Sequence, residues 1–343
     1  MSAVRDALGQ VLAGERLSRD QARQALGEAV SGETDAVPLG GLLCALAARG
    51  ESADEIAGAV DALRASMTPF EHDHPDAIDT AGTGGDGLGT FNLSTAAALV
   101  AAAAGATVIK HGNRSVSSRC GSADLLEAAG VPLDLEPAAA RRVLDEVGIT
   151  FLMAPLYHPA LRHAAPVRTA LGVRTLFNLV GPLLNPGRVR RQVLGGGDGA
   201  RGAMLAAVLE ALGHERAYVI HGHGGADELT LSGANVCHVV GDAPPADYLA
   251  ASLGLATAPV TALEGGEAAV NLGLLHDVLG GAAGPLTDAV VLNAAAALVV
   301  AGVASDAADG VARAQVALAS GAARGRLERW VTVAMAARGR RAS

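Results

Sequence analysis

The stretch AIDTAGTGGDGLGTFNLSTAAALVAAAA, residues 77–104, joins a short apolar segment, a loop with five glycines and an alanine-rich run. The first part is typical of a buried strand and the last of a helix. Glycine lets backbone N–H groups approach a ligand, and a helix N-terminus adds free N–H groups and the positive end of its dipole. The stretch therefore predicts an anion-binding loop between a strand and a helix. The simpler alternative is a plain glycine-rich turn capped by Ser94.

The chain changes character on either side of residues 68–76. Upstream, capping-box spacings and apolar residues at helical period predict short helices over residues 1–70. The capping boxes pair Ser18 with Gln21 and Ser52 with Glu55. Downstream, strand-like pieces alternate with Gly-rich turns and Ala-rich helices, which is typical of an α/β fold. An Arg-rich, mainly helical stretch at about 159–184 is expected to pack back against the first helices.

Composition narrows the class of partner. The 343 residues carry a formal net charge of −9, half of them are apolar and only 2% are aromatic. An acidic surface with few rings fits neither nucleic acid nor an anionic membrane, so neither is expected as a partner. The chain shows no leader pattern, no apolar run of spanning length and no CxxC pair among its three cysteines, so we expect a reduced, cytoplasmic protein.

A second segment rich in hydrogen-bond donors, KHGNRSVSSRCGSAD at residues 110–124, follows the next strand-like piece. It begins with Lys110, the only lysine in a chain that otherwise uses arginine for positive charge. A compact ammonium and several hydroxyls suit a phosphate or pyrophosphate group, with Ser117, Ser118 and Ser122 as donors. A solvated polar loop is the alternative.

Two other phosphate-binding motifs resemble parts of the glycine-rich loop. Gly82, Gly84 and Gly87 have GxGxxG spacing, which is typical of dinucleotide-binding folds. Such folds favour an acidic residue about twenty positions later, whereas this chain has Lys110 and His111 after the next strand. The Gly-Lys-Ser/Thr sequence of a P-loop does not occur. The residues therefore favour a phosphate site of another kind.

Taken together, five segments resemble the anthranilate phosphoribosyltransferase family in order and spacing, over nearly the whole chain. These segments read GTGGDG, NLST, KHGNR, YHPALRHAAPVRTALGVRTLFNLVGPLLNP and HGHGGADELT. The resemblance implies an α/β fold with a small N-terminal helical domain and a larger domain whose central mixed sheet is flanked by helices. It also implies an active site between the domains and a homodimer formed through the helical domains. We expect residues 1–70 with 159–184 in the first domain, and 76–158 with 185–343 in the second.

The same resemblance implies that the chain uses magnesium to transfer the ribose phosphate of phosphoribosyl pyrophosphate to the amine of anthranilate. It predicts Lys110 and Arg168 as catalytic residues and two magnesium ions as the cofactor. The phosphoribosyl pyrophosphate site is predicted to contain Gly82, Gly84, Gly85, Asp86, Thr90, Asn92, Ser94, Thr95, Lys110, Ser117, Ser118 and Ser122. The anthranilate site is predicted to contain Gly82, His111, Asn113, His158 and Arg168. The metal ligands are predicted to be Ser94, Asp227 and Glu228.

Each part of this assignment has a simpler alternative. Arg168 is also consistent with a surface charge, and Asp227 with Glu228 is also consistent with a solvated turn. Cys120 occupies a position where the family more often has serine, so one hydroxyl is missing from the second loop. Two other function classes stay open: a pyrimidine nucleoside phosphorylase, disfavoured by the KHGNR segment, and a non-catalytic nucleotide-binding homologue, disfavoured by the intact metal-binding residues.

Overall fold

The computed structural model describes residues 2–115, 118–196, 199–245 and 247–339. It begins with a helical bundle of α1 (Ala3–Leu12), α2 (Arg19–Ser31), α3 (Ala36–Arg49) and α4 (Ala53–Ala65). The capping box predicted before α2 is present: Ser18 Oγ accepts from the Gln21 N–H at 3.3 Å, and Gln21 Oε1 accepts from the Ser18 N–H at 2.8 Å. An equivalent box of Ser52 and Glu55 begins α4.

A six-stranded sheet, counted over the described residues, forms the centre of the molecule. Its strands are β1 (Ile78–Gly82), β2 (Val108–Gly112), β3 (Ile149–Met153), β4 (Arg191–Gly195), β5 (Arg216–His221) and β6 (Val236–Gly241). They lie in the order β3-β2-β1-β4-β5-β6, and β6 alone pairs antiparallel to its neighbour. The predicted mixed sheet is confirmed.

Helices cover both faces of this sheet, as the prediction required. The helices between β1 and β5 are α5 (Leu93–Ala103), α6 (Ser122–Ala128), α7 (Pro137–Val147), α8 (Ala154–Tyr157), α9 (Ala165–Leu171), α10 (Leu176–Val180) and α11 (Gly202–Ala211). The C-terminal helices are α12 (Ala268–Leu279), α13 (Pro285–Ala301), α14 (Ala307–Ala319) and α15 (Ala322–Arg338). Short 3-10 turns occur at Pro159–His163, Gly181–Leu183, Gly199–Arg201, Ala250–Leu253 and Val260–Leu263.

Side chains alternate between two apolar clusters along the strands. Tyr218 and Ile220 of β5 face the cluster that contains α5 and α13, whereas Ala217 and Val219 face the cluster that contains the helical bundle and α11. Alternation follows from the pleat, which sends successive side chains to opposite faces. The N-terminal bundle therefore shares a core with one face of β4, β5 and β6.

The stretch 159–184 is helical, and it contacts the N-terminal bundle. The turn Pro159–His163 packs against α2, α9 packs against α3, and α10 packs against α4. These contacts agree with the expected return to the first helices, while the domain limits themselves stay a prediction. Among the described residues, no helix has both the length and the apolar character needed to cross a membrane.

Candidate active site

The strand order reverses direction at β1, because β2 and β3 lie on one side of it and β4 to β6 on the other. In open parallel sheets, ligands bind at the carboxyl ends of the strands next to such a switch point. A cavity of about 1000 Å³ lies there. The glycine-rich loop follows β1, the donor-rich loop follows β2, and Asp227 follows β5. Because these strands run in the same direction, all three segments lie at the same edge of the sheet.

Most of the predicted site residues line this cavity. Those on its wall are Gly82, Gly84, Gly85, Asp86, Thr90, Asn92, Ser94, Thr95, Lys110, His111, Asn113, Ser118, Ser122, Arg168, Asp227 and Glu228. His158 lies behind the wall with its ring edge-on to His111, the centroids 5.1 Å apart. Ser117 lies outside the described residues.

The glycine-rich loop has a backbone that only glycine adopts readily. Gly84 and Gly85 have φ values of 65° and 73°, in the left-handed region. The Gly84 N–H donates to Asp227 Oδ2 at 2.8 Å, and the helix α5 begins just beyond the loop. Ser94 does not cap this helix: Asn92 holds the N-cap position without a side-chain hydrogen bond, and the Ser94 N–H donates to Glu228 Oε1 at 3.1 Å.

Asp227 and Glu228 follow β5 and accept hydrogen bonds from the glycine-rich loop and the start of α5, and Asp86 belongs to that loop. Burial and mutual repulsion with Asp86 raise the pKa of Asp227, and burial and the nearby Asp227 raise the pKa of Glu228. The Asp227 N–H also donates to Asp86 Oδ2 at 3.4 Å. Carboxylates held this close in a recess favour a cation between them.

The pair Asp227 and Glu228, here called the acidic segment, is positioned by residues of two elements that are distant along the chain. The Asn293 amide of α13 accepts from the Leu229 N–H at 3.0 Å and donates to the Leu229 carbonyl at 2.9 Å. Gly195 lies at the end of β4, where an added Cβ would overlap the carbonyl oxygen of Asp227. Asn293 is not among the residues predicted from the sequence, although a single amide in the apolar run of α13 is a usable signal.

Lys110 is fully buried on β2, and its ammonium crosses to the neighbouring strand. Its Nζ donates to the Thr80 carbonyl and lies 3.4 Å from Ser94 Oγ. Burial lowers its pKa, while the negative charges of Asp79 and Glu228 oppose that effect. The single lysine therefore lies between the strand that leads into the glycine-rich loop and the first turn of α5.

Asp79 and Asn185 form a buried pair beneath Lys110 that the sequence analysis missed. Asn185 Nδ2 donates to Asp79 Oδ2 at 2.8 Å and to the Ile109 carbonyl at 2.7 Å. The pKa of Asp79 is raised to about 6 because burial outweighs the attraction of Lys110. The available signal was an aspartate in the otherwise apolar start of β1.

His111 and Arg168 also line the cavity. Burial lowers the pKa of His111 to about 3 and that of His158 to about 4, so both rings are neutral at pH 7. The Arg168 guanidinium lies 5.2 Å from the ring centroid of Phe177, a cation–π contact that fixes its direction. Among the described residues it has no carboxylate partner, which leaves its fork available to an anionic group.

Arg174 links the segment after α9 to the glycine-rich loop. It follows α9, the helix that carries Arg168, and its Nη1 donates to the Gly85 carbonyl at 3.1 Å. An added Cβ on Gly85 would lie 2.8 Å from the same nitrogen, so the glycine leaves room for the arginine. The position of Arg168 is thereby tied to the glycine-rich loop.

Comparison with known proteins agrees with this geometry. A model described as "Glycosyl transferase family, helical bundle domain" matches residues 5–67, and one described as "Glycosyl transferase family, a/b domain" matches residues 74–324. The anthranilate phosphoribosyltransferase of Roseiflexus sp. (strain RS-1) is 48% identical over 340 residues, covering 98% of this chain and 99% of that protein. That of Desulfatibacillum aliphaticivorans is 44% identical over 323 residues, covering 94% and 96%.

Solved structures give the same result. The crystal structure of anthranilate phosphoribosyltransferase from Thermus thermophilus matches with a TM-score of 0.92 and 45% identity, covering 98% of this chain and 100% of that one. The Saccharomyces cerevisiae enzyme in complex with PRPP and Mg shares the fold, with a TM-score of 0.87 and 24% identity over 97% of this chain and 98% of that one. By sequence and by structure, along almost its whole length, this chain belongs to the anthranilate phosphoribosyltransferase family.

Proposed function

We propose that the chain transfers the 5-phosphoribosyl group of phosphoribosyl pyrophosphate to the amine of anthranilate and releases pyrophosphate, a step of tryptophan biosynthesis. One observation carries the proposal: two donor-rich loops and Arg168, which has no carboxylate partner among the described residues, line a single cavity. The loops suit a ligand with phosphates at both ends, and the arginine suits a carboxylate.

The phosphoribosyl pyrophosphate site is proposed on the side of the two loops. Backbone N–H groups of the glycine-rich loop and of the first turn of α5 point to positions that anionic oxygens occupy at helix N-termini. The proposed contacts are Gly82, Gly84, Gly85, Asp86, Thr90, Asn92, Ser94, Thr95, Lys110, Ser117, Ser118 and Ser122. Asn92 has a second task, since its Oδ1 accepts from Asn271 and its Nδ2 donates to the Cys120 carbonyl.

The anthranilate site is proposed around Arg168, whose guanidinium would bind the carboxylate by two parallel hydrogen bonds. Gly82, His111 and Asn113 would line the path of the aromatic ring, and His158 would support the His111 ring from behind. The neutral imidazoles favour this arrangement because they carry no charge that would compete with Arg168 for the carboxylate. Their lowered pKa values make them weak bases, which suits an aromatic amine that is already neutral.

The acidic segment fits magnesium, a hard cation that prefers oxygen ligands. Asp227, Glu228 and Ser94 supply such oxygens, and burial together with the neighbouring acidic groups raises the pKa of both carboxyls. No group of three or more metal-binding side chains occurs in the part of the chain that the structure describes. This agrees with ions held by one or two carboxylates together with substrate phosphates, and we propose two such ions.

Catalysis then depends on stabilising pyrophosphate as it leaves the anomeric carbon. Magnesium bound at the acidic segment supplies positive charge there. Lys110 and the N–H groups of the glycine-rich loop add fixed dipoles and charge on the same side. Arg168 holds the acceptor so that its amine faces the anomeric carbon, and this positioning contributes much of the remaining rate.

We also propose that the protein forms a homodimer through its helical domain. Leu12 at the end of α1 is 72% exposed and Val37 at the start of α3 is 81% exposed, with Cys44 also exposed on α3. Exposed apolar side chains on two helices that pack together favour an interaction surface there. A Val37→Glu variant should sediment as a monomer, whereas Val316→Glu, an equally polar change at an exposed valine of α14, should leave the parent's mass unchanged.

The function is tested by assaying a panel of aromatic amines with phosphoribosyl pyrophosphate and magnesium. Anthranilate should be consumed, and the double variant Asp227→Ala with Glu228→Ala should lose nearly all turnover. Its control removes two exposed acids elsewhere, Glu210→Ala with Asp277→Ala, and should stay active. Consumption of no anthranilate by the parent, or full activity of the first variant in a chelator, would refute the proposal.

A further inference from the structure

The two acidic residues of the proposed metal site fill the hydrogen-bond donors of the glycine-rich loop. Asp227 Oδ2 accepts from the Gly84 N–H at 2.8 Å. Glu228 Oε1 accepts from the Ser94 N–H at 3.1 Å, and its Oε2 accepts from Thr90 Oγ1 at 3.2 Å. The carboxylates therefore take three of the donors proposed for phosphate oxygens.

These contacts are tertiary and not local turns. The acids lie 143 and 134 positions along the chain from Gly84 and Ser94. Helix α5 has no side-chain cap of its own, because the Asn92 side chain makes no hydrogen bond to its first turn. A carboxylate and a phosphate offer similar anionic oxygens to a helix N-terminus, so Glu228 occupies the place of a phosphate group.

An incoming polyanion meets two obstacles in this arrangement. Its donors are already bonded, and Asp86 adds a third negative charge beside Asp227. Lys110 is the cation whose charge reaches Glu228, and its ammonium is already bonded to Thr80. Displacing the carboxylates without giving them another partner leaves recessed charges unpaired, which is costly.

We propose that Asp227 and Glu228 act as an internal competitor of phosphate for the N–H groups of Gly84 and Ser94. In metal-free protein the two carboxylates accept from these N–H groups, and they release them when they bind divalent cations. The inference rests on the proposed function and adds a regulation of the same site. Metal and pyrophosphate then bind with positive cooperativity, since each favours the arrangement in which the N–H groups of Gly84 and Ser94 are available. Glu228 therefore weakens the binding of pyrophosphate in the absence of metal and strengthens it in the presence of metal.

Removing Glu228 should therefore change pyrophosphate affinity in opposite directions with and without magnesium. Simple metal ligation by Glu228 predicts no gain in affinity without magnesium. Binding of inorganic pyrophosphate is measured by titration calorimetry, once with a chelator and once with magnesium. Glu228→Ala should bind pyrophosphate about tenfold more tightly than the parent in chelator, because the donors of α5 are no longer occupied. With magnesium the same variant should bind more weakly than the parent. Glu228→Gln keeps an acceptor oxygen and a similar size, so its affinity for pyrophosphate should lie between those of the parent and of Glu228→Ala.

The control is Asp277→Ala, which removes the same charge from an exposed position on α12 and should not alter either affinity. If Glu228→Ala and Glu228→Gln gain no metal-free affinity over the parent while the parent still binds pyrophosphate with magnesium, the internal competitor is refuted and the proposed function stands. If the gain in chelator equals that of Asp277→Ala, net charge explains it and the proposal fails. If the parent binds no pyrophosphate even with magnesium, the proposed function fails and this inference with it.

Discussion

Lys110 is placed where only a compact cation fits. Its side chain is 2% exposed and runs from β2 to the Thr80 carbonyl of β1, with Ser94 Oγ at 3.4 Å. A planar guanidinium is larger and needs several acceptors in a fixed fork, whereas an ammonium acts as a point charge. The lone lysine in a chain of arginines therefore reflects the shape of this position.

Replacing Lys110 with arginine should keep the charge and lose the function. We expect a drop in turnover of roughly a hundredfold, on the order of 3 kcal/mol, because the charge no longer reaches the leaving group. Overpacking should also cost roughly 1–3 kcal/mol of stability, so rates are compared well below the melting temperature. Lys110→Met, which keeps the size without charge, is the control. An arginine variant with more than about half the parent rate would show that charge alone suffices.

Arg168→Ala should separate the two substrates. The guanidinium lines the cavity at the proposed anthranilate site, so its loss should raise the Michaelis constant for anthranilate at least about tenfold more than that for phosphoribosyl pyrophosphate. Arg162→Ala, in the exposed turn before α9, is the matched control and should leave both constants near the parent values. Equal changes for both substrates would remove Arg168 from the anthranilate site.

At the scale of elements, the ends of β1 and β4 are shaped by the acidic segment that crosses them. Added methyl groups on Gly82 or Gly195 would overlap Asp227, and one on Gly222 would overlap the carbonyl of Glu228. Glycine is needed at these places for close approach and not for an unusual φ, since none of the three has a left-handed backbone. The strands thus set the distance between the glycine-rich loop and the carboxylates.

Gly195→Ala should disable the site through this contact. The new methyl group has to push the Asp227 backbone away, and a displacement of about 1 Å in a catalytic group lowers turnover roughly a hundredfold. Gly273→Ala on the exposed face of α12 has open space and should stabilise the protein by about 0.5–1 kcal/mol without altering turnover. Turnover and thermal melts of both variants check this, and a fully active Gly195→Ala would contradict the contact.

The sequence predicted those elements whose determinants are local. The capping boxes of α2 and α4, the glycine-rich loop and the helix after it depend on residues within a few positions of one another. Pairings between distant segments left no such pattern: Asp79 meets Asn185 over 106 positions, and Asn293 meets Leu229 over 64. The simpler alternative of a turn capped by Ser94 does not hold, and the sequence pattern could not show why: the Ser94 N–H donates to Glu228, 134 positions away.

At the scale of the whole molecule, the helical bundle and the sheet share apolar contacts along β4, β5 and α11. His214, between α11 and β5, lies in this region with its Nδ1 3.1 Å from the Leu209 carbonyl. Burial lowers its pKa to about 4, and the positive charge of Arg64 on α4 adds to the effect. The neutral ring thus favours the packing of α4 of the bundle against α11.

This histidine should make the protein less stable in acid. In the unfolded chain His214 has a pKa near 6.5 and takes up a proton as the pH falls, while the folded protein keeps it neutral down to about 4. Stability is therefore present above pH 6.5, is lost as the pH falls towards 4, and changes no further below that value. Between pH 7.5 and 5 the loss from His214 is about 2 kcal/mol.

Urea unfolding of the parent and of His214→Gln at these two pH values measures the effect. The glutamine can still donate to the Leu209 carbonyl but cannot take up the proton, so the variant should lose about 2 kcal/mol less than the parent on acidification. His276→Gln, at an exposed position of α12, should lose as much as the parent. If the His214→Gln and parent values fall in parallel, the acid sensitivity arises from other groups, and the buried ring at the contact between bundle and sheet does not control it.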